Sequence, residues 1–385
     1  FWLKLHRLRS SRVRTPVAPQ PTMGRPSIVL AAVAHALAAA SSGQAAGLVR
    51  VPVRCVQRPQ STGQQSKAAA EGRDVPLRKP NAWSYLAHIR LGTPPIQEFL
   101  LDIDLGRALT WVPAKSALTN KSTHAYYVAE DSSTYSRMNR NFVDNGISGM
   151  WARDVLSMGP FHVEGFRFGI ADSITAWADY EVYSFDGNFG LGFEDTGVPW
   201  LLQHLVEKKL IEEPVFALYF NSNGGEMTFG GADPARHEGK MQYVTLARGQ
   251  GWTIPVDAIW IGDKRCFTTP TSWRLAPDML NIEGPQEQME SFIGEWNTTK
   301  DNDGWYPIPC DKTGPPLILR IFGRDYVLTK NDLLVRIGST CYLGVSVGTS
   351  EPWTLGQVFL RAVYTEFDAK RKRVGLARAN HSAGL

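Results

Sequence analysis

A single aspartate at the end of an apolar run is the residue of this chain best suited to chemistry. Residues 100–106 read as an apolar strand that delivers Asp104 into a tight glycine turn, with Trp-Val-Pro following at 111–113. Where a second such turn is expected, residues 273–279 contain Asp278 but no glycine. Two facing carboxylates can share one proton and activate a water molecule, whereas a lone carboxylate stays ionised. The sequence therefore predicts one built half of a two-acid site and one altered half.

The charged residues near Asp104 can be interpreted as structural, in salt bridges or backbone contacts, or as functional, in ligand binding. Asp102 shares its strand face, because side chains alternate with a period of two, and is expected to satisfy backbone groups or Arg107. Arg107 is interpreted either as a cleft cation that selects acidic ligands or as part of a salt bridge with Asp102. Residues 195–197 spell Asp-Thr-Gly after a glycine-rich segment, which favours a surface loop. The basic run 370–373 is expected at a solvated hairpin tip.

Histidine spacing and the charge distribution narrow the classes of ligand. The eight His match neither a Ser/His/Asp arrangement nor the HExxH zinc motif, so no metal and no organic cofactor is expected. The net charge is +4, but residues 1–78 carry +10 and the remainder carries −6. Because the basic charge belongs to the leader, nucleic-acid binding is not expected of the body.

The composition predicts a large β protein of about two domains. The chain has 385 residues, of which 43% are hydrophobic and 11% aromatic, with 12 Trp and 35 Gly. Short apolar runs separated by turn residues are typical of an all-β fold. The predicted strands include residues 84–91, 98–103, 161–170, 215–220, 226–230, 242–246, 252–261, 317–322, 326–328 and 362–367. Residues 199–210 and 286–296 are the predicted helices.

The first 80 residues differ from the rest in amino-acid composition. Residues 1–22 precede a Met and are interpreted as a leader outside the native protein, with a basic tail before a signal anchor as the alternative. Residues 23–46 read as a secretory signal peptide that is too short to span a membrane. A basic, Gln/Ser/Ala-rich stretch follows, in which residues 48–53 are expected to pair as a strand onto the body. We therefore predict a secreted protein without a membrane anchor.

The prediction that the protein is secreted agrees with its cysteines and with three glycosylation acceptor tripeptides. Cys310 and Cys341 could close a loop in an oxidising compartment, while Cys55 and Cys266 have no evident partners. The acceptor tripeptides of secreted proteins begin at Asn120, Asn297 and Asn380.

Several motifs, taken in order, resemble the pepsin-like aspartic proteases (family A1). They start with Leu-Gly-Thr-Pro-Pro at 91–95 and continue at 104–106, 111–113, 131–135, 185–192, 227–231, 353–361, 367–368 and 374–377. The resemblance implies a bilobal all-β fold, with an N-terminal lobe at 81–245 and a C-terminal lobe at 246–385. A long cleft lies between such lobes and a flap hairpin closes over it. It also implies a propeptide-like segment at 47–80, a C-lobe disulfide between Cys310 and Cys341, and a monomer.

The first motif departs from the family pattern of Asp-Thr/Ser-Gly-Ser/Thr. Residues 104–107 read Asp-Leu-Gly-Arg, so Asp104 and Gly106 are kept. Leu105 removes a hydroxyl that bonds across to the other lobe in the family. Arg107 places a cation beside the carboxylate, which favours its ionised form.

The second motif departs further. Counting back from residues 284–285, Ala276 takes the place of the second catalytic Asp and Asp278 that of the glycine. Pro277 has no amide hydrogen to donate. The alternative is that Asp278 acts as a displaced second carboxylate. The flap segment 143–149 is also shorter than in the family and lacks its Tyr.

Three functions follow from this comparison. The favoured one is a secreted pseudoprotease that binds a peptide or protein in the interlobe cleft without hydrolysing it, around Asp104, Gly106, Arg107 and Ala276. Such a protein cannot release its own propeptide, which is then retained. The alternatives are an active endopeptidase that uses Asp104 with Asp278, and a non-enzymatic decoy that binds through its outer surface.

Overall fold

The computed structural model describes residues 48–56, 84–175, 180–193, 199–222, 224–248, 251–267, 271–348 and 353–382. Several predictions fall outside these ranges, namely the leader, the signal peptide, most of the propeptide-like segment and the tripeptide at 195–197. Among the described residues, no helix has the length and apolar character needed to cross a membrane.

The described part of the chain is built mainly from strands. In its first half these are β1 (Val49–Val56), β2 (Ser84–Leu91), β3 (Gln97–Asp104), β4 (Trp111–Pro113), β5 (Ser136–Asp144), β6 (Ile147–Met158), β7 (Phe161–Ile174), β8 (Gly187–Gly190), β9 (Val215–Asn221), β10 (Gly224–Phe229) and β11 (His237–Thr245). In its second half they are β12 (Thr253–Val256), β13 (Ala258–Ile261), β14 (Lys264–Phe267), β15 (Thr271–Leu275), β16 (Ile282–Pro285), β17 (Pro307–Ile308), β18 (Leu317–Ile321), β19 (Arg324–Leu328), β20 (Leu334–Ile337), β21 (Thr340–Leu343), β22 (Val345–Gly348), β23 (Trp353–Leu355), β24 (Val363–Asp368) and β25 (Arg373–Ala379). The α-helices are α1 (Trp200–Glu207), α2 (Gln286–Glu295), α3 (Lys330–Leu333) and α4 (Gln357–Ala362). The predicted all-β class is confirmed.

The largest sheet joins both ends of the described chain. Among the described strands it contains thirteen, in the order β11-β25-β24-β9-β10-β1-β2-β3-β8-β4-β7-β6-β5. β1 lies inside this sheet, antiparallel to β10 with Val51 opposite Met227 and to β2 with Val53 opposite Ala87. Val51 and Val53 are buried in the main core, as period-two alternation requires. The strand predicted at 48–53 is therefore confirmed.

Three smaller sheets build most of the second half. Their orders are β12-β15-β23-β16-β22, β14-β13-β18-β19 and β17-β21-β20. Trp273 of β15 stacks on Trp353 of β23, with ring centroids 4.2 Å apart. The single strand predicted at 252–261 was wrong, because β12 pairs with β15 whereas β13 pairs with β18. The chain changes sheets at Asp257, whose amide donates to the carbonyl of Arg320.

The two predicted helices are confirmed with small changes at their ends. α1 begins after Pro199 and buries Leu201 and Leu205 on its predicted apolar side. It ends before Lys209, whose φ of 58° lies in the left-handed region and is incompatible with a continuing helix. α2 buries Met289 along one side.

The disulfide between Cys310 and Cys341 is present, as the family resemblance implied, with Cα atoms 5.2 Å apart. It links the loop after β17 to β21. Cys55 of β1 and Cys266 of β14 are free. Burial raises the pKa of the Cys55 thiol to about 11, which keeps it protonated and unreactive at neutral pH.

Candidate functional site

Asp104 ends β3, and its carboxylate organises the turn that follows. Oδ1 accepts hydrogen bonds from the amide of Gly106 at 2.7 Å and from the amide of Arg107 at 3.2 Å. The carbonyl of Asp104 accepts from the amide of Leu191 at 2.8 Å. The residue is 5% exposed. Backbone donors therefore fix the carboxylate in one place at the end of the strand.

Arg107 connects this turn to the flap. Its Nη1 lies 3.5 Å from Oδ2 of Asp104, and its Nε lies 3.7 Å from Oδ2 of Asp144 at the end of β5. Of the two expected roles of Arg107, the structure shows the salt bridge, but its partners are Asp104 and Asp144 in place of Asp102. The Arg107 guanidinium thus lies between the carboxylates of Asp104 and Asp144. Asp102 itself is 6% exposed.

Ala276 at the second turn and Asp104 at the first turn have equivalent positions relative to their neighbouring strands. Parallel strands β3 and β8 align Asp104 with Gly190. Strands β15 and β23 are parallel in the same way, and the amide of Ala276 donates to the carbonyl of Leu355 at 3.0 Å. Because Leu275 pairs with Leu355, continuing the register by one residue brings Ala276 opposite Gly356, the first residue after β23. The two positions are related by the same pairing geometry.

Backbone contacts hold the second turn. The amide of Met279 donates to the carbonyl of Ala276 at 3.0 Å. Gln357, at the start of α4, donates from its side chain to the carbonyl of Pro277 at 2.8 Å and from its amide to Met279 at 2.7 Å. Ala276 is 1% exposed, and Asp278 is half-buried. The helix α4 thus supports a turn whose first residue has no carboxylate.

Arg274 approaches the first turn from the second half of the chain. A Cβ atom on Gly106 would lie 3.2 Å from Oδ1 of Asp104 and 3.8 Å from Nη1 of Arg274. The two neighbours of Arg274 in β15 are buried, so alternation places Arg274 on the same strand face as Ala276. Arg274 was not among the residues predicted from the sequence, although this alternation with buried Trp273 was a usable signal.

The flap is the hairpin of β5 and β6. It turns at Asn145 and Gly146, whose φ angles of 45° and 81° are those of a two-residue hairpin turn. Phe142 packs edge-on against Trp151 at 5.5 Å between ring centroids, which stiffens the hairpin near its end. Val143 is 82% exposed. The hairpin tip thus offers an apolar side chain to whatever enters beneath it.

A cleft of about 520 Å³ lies between the flap and the first turn. Its walls are residues 106–109 of the turn, residues 140–144 of the flap and Trp151. Its lining therefore combines apolar side chains with the charged groups of Arg107, Arg140 and Asp144. A cleft of this size and mixed lining is suited to an extended side chain or short peptide segment.

A family model described as eukaryotic aspartyl protease matches residues 84–379, most of the chain. The chain belongs to the eukaryotic aspartyl protease family. It is 30% identical over 324 residues to pregnancy-associated glycoprotein 2 of Bos taurus, which covers 79% of this chain and 84% of that protein. It is 31% identical over 328 residues to pregnancy-associated glycoprotein 6 of Ovis aries, covering 79% and 84%. It is 29% identical over 322 residues to cathepsin D of Chionodraco hamatus, covering 77% and 81%.

The architecture of the chain agrees with its membership of the aspartyl protease family. The strands described above form the bilobal all-β fold of pepsin-like proteins, and such proteases bind peptide substrates in a cleft between the lobes. In this family member the described site brings together Asp104, Gly106 and Arg107, with Asp144 from the flap and Arg274 from the second lobe.

The remaining candidate residues of this aspartyl protease homologue lie on its surface. Asn120 and Asn297 are exposed, whereas Asn380 is half-buried and donates from Nδ2 to the carbonyl of Ala235 at 3.2 Å. The basic run 370–373 forms the turn between β24 and β25 and is largely exposed. Within the described ranges, no group of three or more His, Cys, Asp or Glu could hold a metal ion.

Proposed function

We propose that this protein is a secreted pepsin-like homologue that binds a peptide or protein segment in its interlobe cleft without hydrolysing it. The observation that carries the proposal is the position of Ala276, which comes opposite Gly356 just as Asp104 comes opposite Gly190. Where the first lobe offers a carboxylate, the second lobe offers a methyl group.

Hydrolysis by two acids requires one as base toward water and the other as acid toward the carbonyl. Asp278 is the carboxylate of the second turn, but it stands two residues beyond Ala276 and follows Pro277, which has no amide hydrogen. Removal of one member of a catalytic unit commonly abolishes most of its rate. The loss at Ala276 is therefore sufficient to silence the reaction.

The first turn supports the same proposal. Arg107 lies beside Asp104 and favours its ionised form, whereas a shared-proton pair needs a carboxyl that can also hold a proton. The ion pair of Arg107 with Asp144 also ties the turn to the flap. This linkage is suited to holding a bound segment rather than to a reaction cycle of flap opening and closing.

Retention of the propeptide-like strand belongs to this proposal. β1 is paired on both sides, with Val51 and Val53 in the core. Nε of Arg50 donates to Oδ2 of Asp233 at 2.7 Å. A protein that does not cleave itself keeps this strand, and we propose that it stays in the sheet of the secreted form.

Hydrolysis of a broad peptide library at acid pH, with and without a pepstatin-like inhibitor, tests the proposal. We expect no inhibitor-sensitive cleavage in the purified full chain. Cleavage that the inhibitor blocks and that disappears in Asp104→Asn would overturn the proposal. If the inhibitor-sensitive cleavage disappears in Asp278→Asn as well, the endopeptidase alternative is established.

Cleft binding is tested by capture of library peptides with wild type and two variants. Gly106→Trp fills the floor of the cleft and is expected to abolish capture. Phe322→Ser removes an apolar side chain that is 69% exposed on the β18–β19 turn, and it is expected to leave capture unchanged. The reverse result would favour the surface-binding alternative, and thermal unfolding of each variant checks that it is folded.

A further inference from the structure

Arg274 is a cation that lies beside the first turn, and its strand sets its place there. Its neighbours Trp273 and Leu275 are 0% and 1% exposed and anchor β15 in the core. Arg274 alternates with them and is half-buried. Its position, two residues before Ala276, matches that of Asp102 before Asp104. The second lobe thus presents a guanidinium where the first lobe presents a carboxylate.

The end of the Arg274 side chain lies beside Gly106, a residue of the cleft wall. Nη1 is 3.8 Å from the point where a Cβ of Gly106 would lie, and Gly106 is exposed. Within the described part of the chain, strand pairing engages the backbone of Arg274, but no hydrogen bond or ion pair engages its guanidinium. A half-buried guanidinium without a protein acceptor has donors that must be satisfied by water or by a ligand.

The other charges beside Gly106 are already engaged with one another. Asp104 accepts from two amides and faces Arg107. Asp144 faces the same guanidinium at 3.7 Å. These groups form a closed ion-pair cluster, while Arg274 keeps its full capacity to donate.

We propose that Arg274 is an anion-binding residue of the cleft and that the cleft selects a peptide whose carboxylate lies over Gly106. This rests on the proposed peptide-binding function and adds the chemical class of the ligand. The planar guanidinium matches a carboxylate with two parallel hydrogen bonds, which are stronger than those to a neutral carbonyl. The carboxylate is that of an Asp or Glu side chain or of a peptide C-terminus.

Matched peptides separate the two carboxylate sources. One set carries a central Glu or Gln with both termini blocked, and the other carries a central Gln with a free or an amidated C-terminus. Affinities for the full-length protein are measured by calorimetry at two salt concentrations. We expect at least tenfold tighter binding of one acidic form than of its amide, with the preference weakened by salt. The preferred set identifies the source.

Three variants assign the preference to Arg274. Arg274→Gln is expected to remove it, and Arg274→Lys to keep part of it because an ammonium binds as a point charge. Arg137→Gln deletes an equal charge from the exposed face of β5, outside the cleft lining, and should leave the preference unchanged. Unfolding temperatures verify folding.

Each other outcome counts against the inference. Equal affinity for acidic and amide peptides would overturn the anion site but leave the peptide-binding function standing. A preference that survives Arg274→Gln, or that falls equally in Arg137→Gln, would overturn the role of Arg274. Failure of every peptide to bind would overturn both the inference and the proposed function.

Discussion

Ala276 occupies, in the second lobe, the register position that Asp104 occupies in the first. Asp104 ends β3 and pairs with Gly190, which ends the parallel strand β8. Ala276 and Gly356 come directly after the parallel strands β15 and β23, whose last pair is Leu275 with Leu355. The difference between them is chemical. The Asp104 carboxylate accepts hydrogen bonds from two amides of the first turn. In the second turn, the amide of Met279 donates to the backbone carbonyl of Ala276 instead.

Restoring the missing carboxylate alone is expected to fail. Ala276→Asp places an acid at a position that is 1% exposed, next to Pro277 and near Asp278. The new carboxylate lacks the glycine turn that orients Asp104, and Asp278 repels it. We expect no measurable peptide hydrolysis at acid pH and a loss of about 1–3 kcal/mol in the free energy of unfolding.

The matched control adds Pro277→Thr, Asp278→Gly, Leu105→Thr and Arg107→Ser to Ala276→Asp. If hydrolysis can be regained, it should appear in this variant and not in the single substitution. Turnover by Ala276→Asp alone would contradict the prediction and show that the surrounding turn is already competent.

The disulfide is expected to stabilise the second lobe. Cys310 and Cys341 are separated by 31 residues, and closing a loop of that length restricts the unfolded chain by about 3–4 kcal/mol. Replacing both by Ser should lower the denaturant midpoint accordingly. Cys266→Ser, which alters a free thiol of the same lobe, is the control and should shift the midpoint little. Equal midpoints for the double variant and wild type would contradict the prediction.

The ion pair that fastens β1 is expected to depend on pH. The hydrogen bond from Arg50 is the main cause that holds the pKa of Asp233 below its usual value. Stability from this pair is therefore present above the unfolded pKa of about 4 and is lost as the pH falls through the lower folded value. Arg50→Gln should cost about 1–2 kcal/mol at pH 7, since the Arg50 side chain is 50% exposed.

Urea unfolding of wild type and Arg50→Gln between pH 2 and pH 7 measures this dependence. The difference between them should shrink at the acid end of the range. Arg54→Gln, an exposed change on the same strand, should produce no such difference. A gap between wild type and Arg50→Gln that stays constant with pH would assign it to packing instead.

Gly149 permits the close pairing of β6 and β7 near the tip of the flap. A Cβ there would lie 2.0 Å from the carbonyl oxygen of Ile170, so Gly149→Ala forces the strands apart. We expect a loss of about 1–3 kcal/mol in unfolding free energy. Gly294→Ala is the control, because its Cβ meets nothing within 4 Å and alanine favours the helix α2. A neutral Gly149→Ala would contradict the close approach of β6 to β7 at this position.

The strands could be predicted where apolar periodicity and a turn signal coincide. Residues 84–91 were predicted with the ends that β2 has, and burial alternates along the second half of this strand, from His88 to Leu91. The same reasoning failed at 252–261, where the apolar pattern continues while the backbone leaves one sheet for another at Asp257. A change of pairing partner leaves no mark on periodicity.

At the site, the local turn could be predicted from the sequence, whereas contacts between residues far apart in the sequence could not. Asp104 and its glycine turn are visible as an apolar run followed by Asp and Gly. The contact of Arg107 with Asp104 was predicted, but its contact with Asp144 could not be, because Asp144 reaches it only through the folding of the flap. The approach of Arg274 to Gly106 likewise joins residues from different lobes, and no local pattern encodes it.

The thirteen-stranded sheet of the described chain places β24 against β9, so its inner region is completed only after residues 363–379 have been synthesised. A nascent chain that has emerged as far as β23 still presents β9 with one bare edge to the ribosome surface and to chaperones. A premature stop codon that removes β24 and β25 would therefore leave unpaired edges on β9 and β11, which are made much earlier.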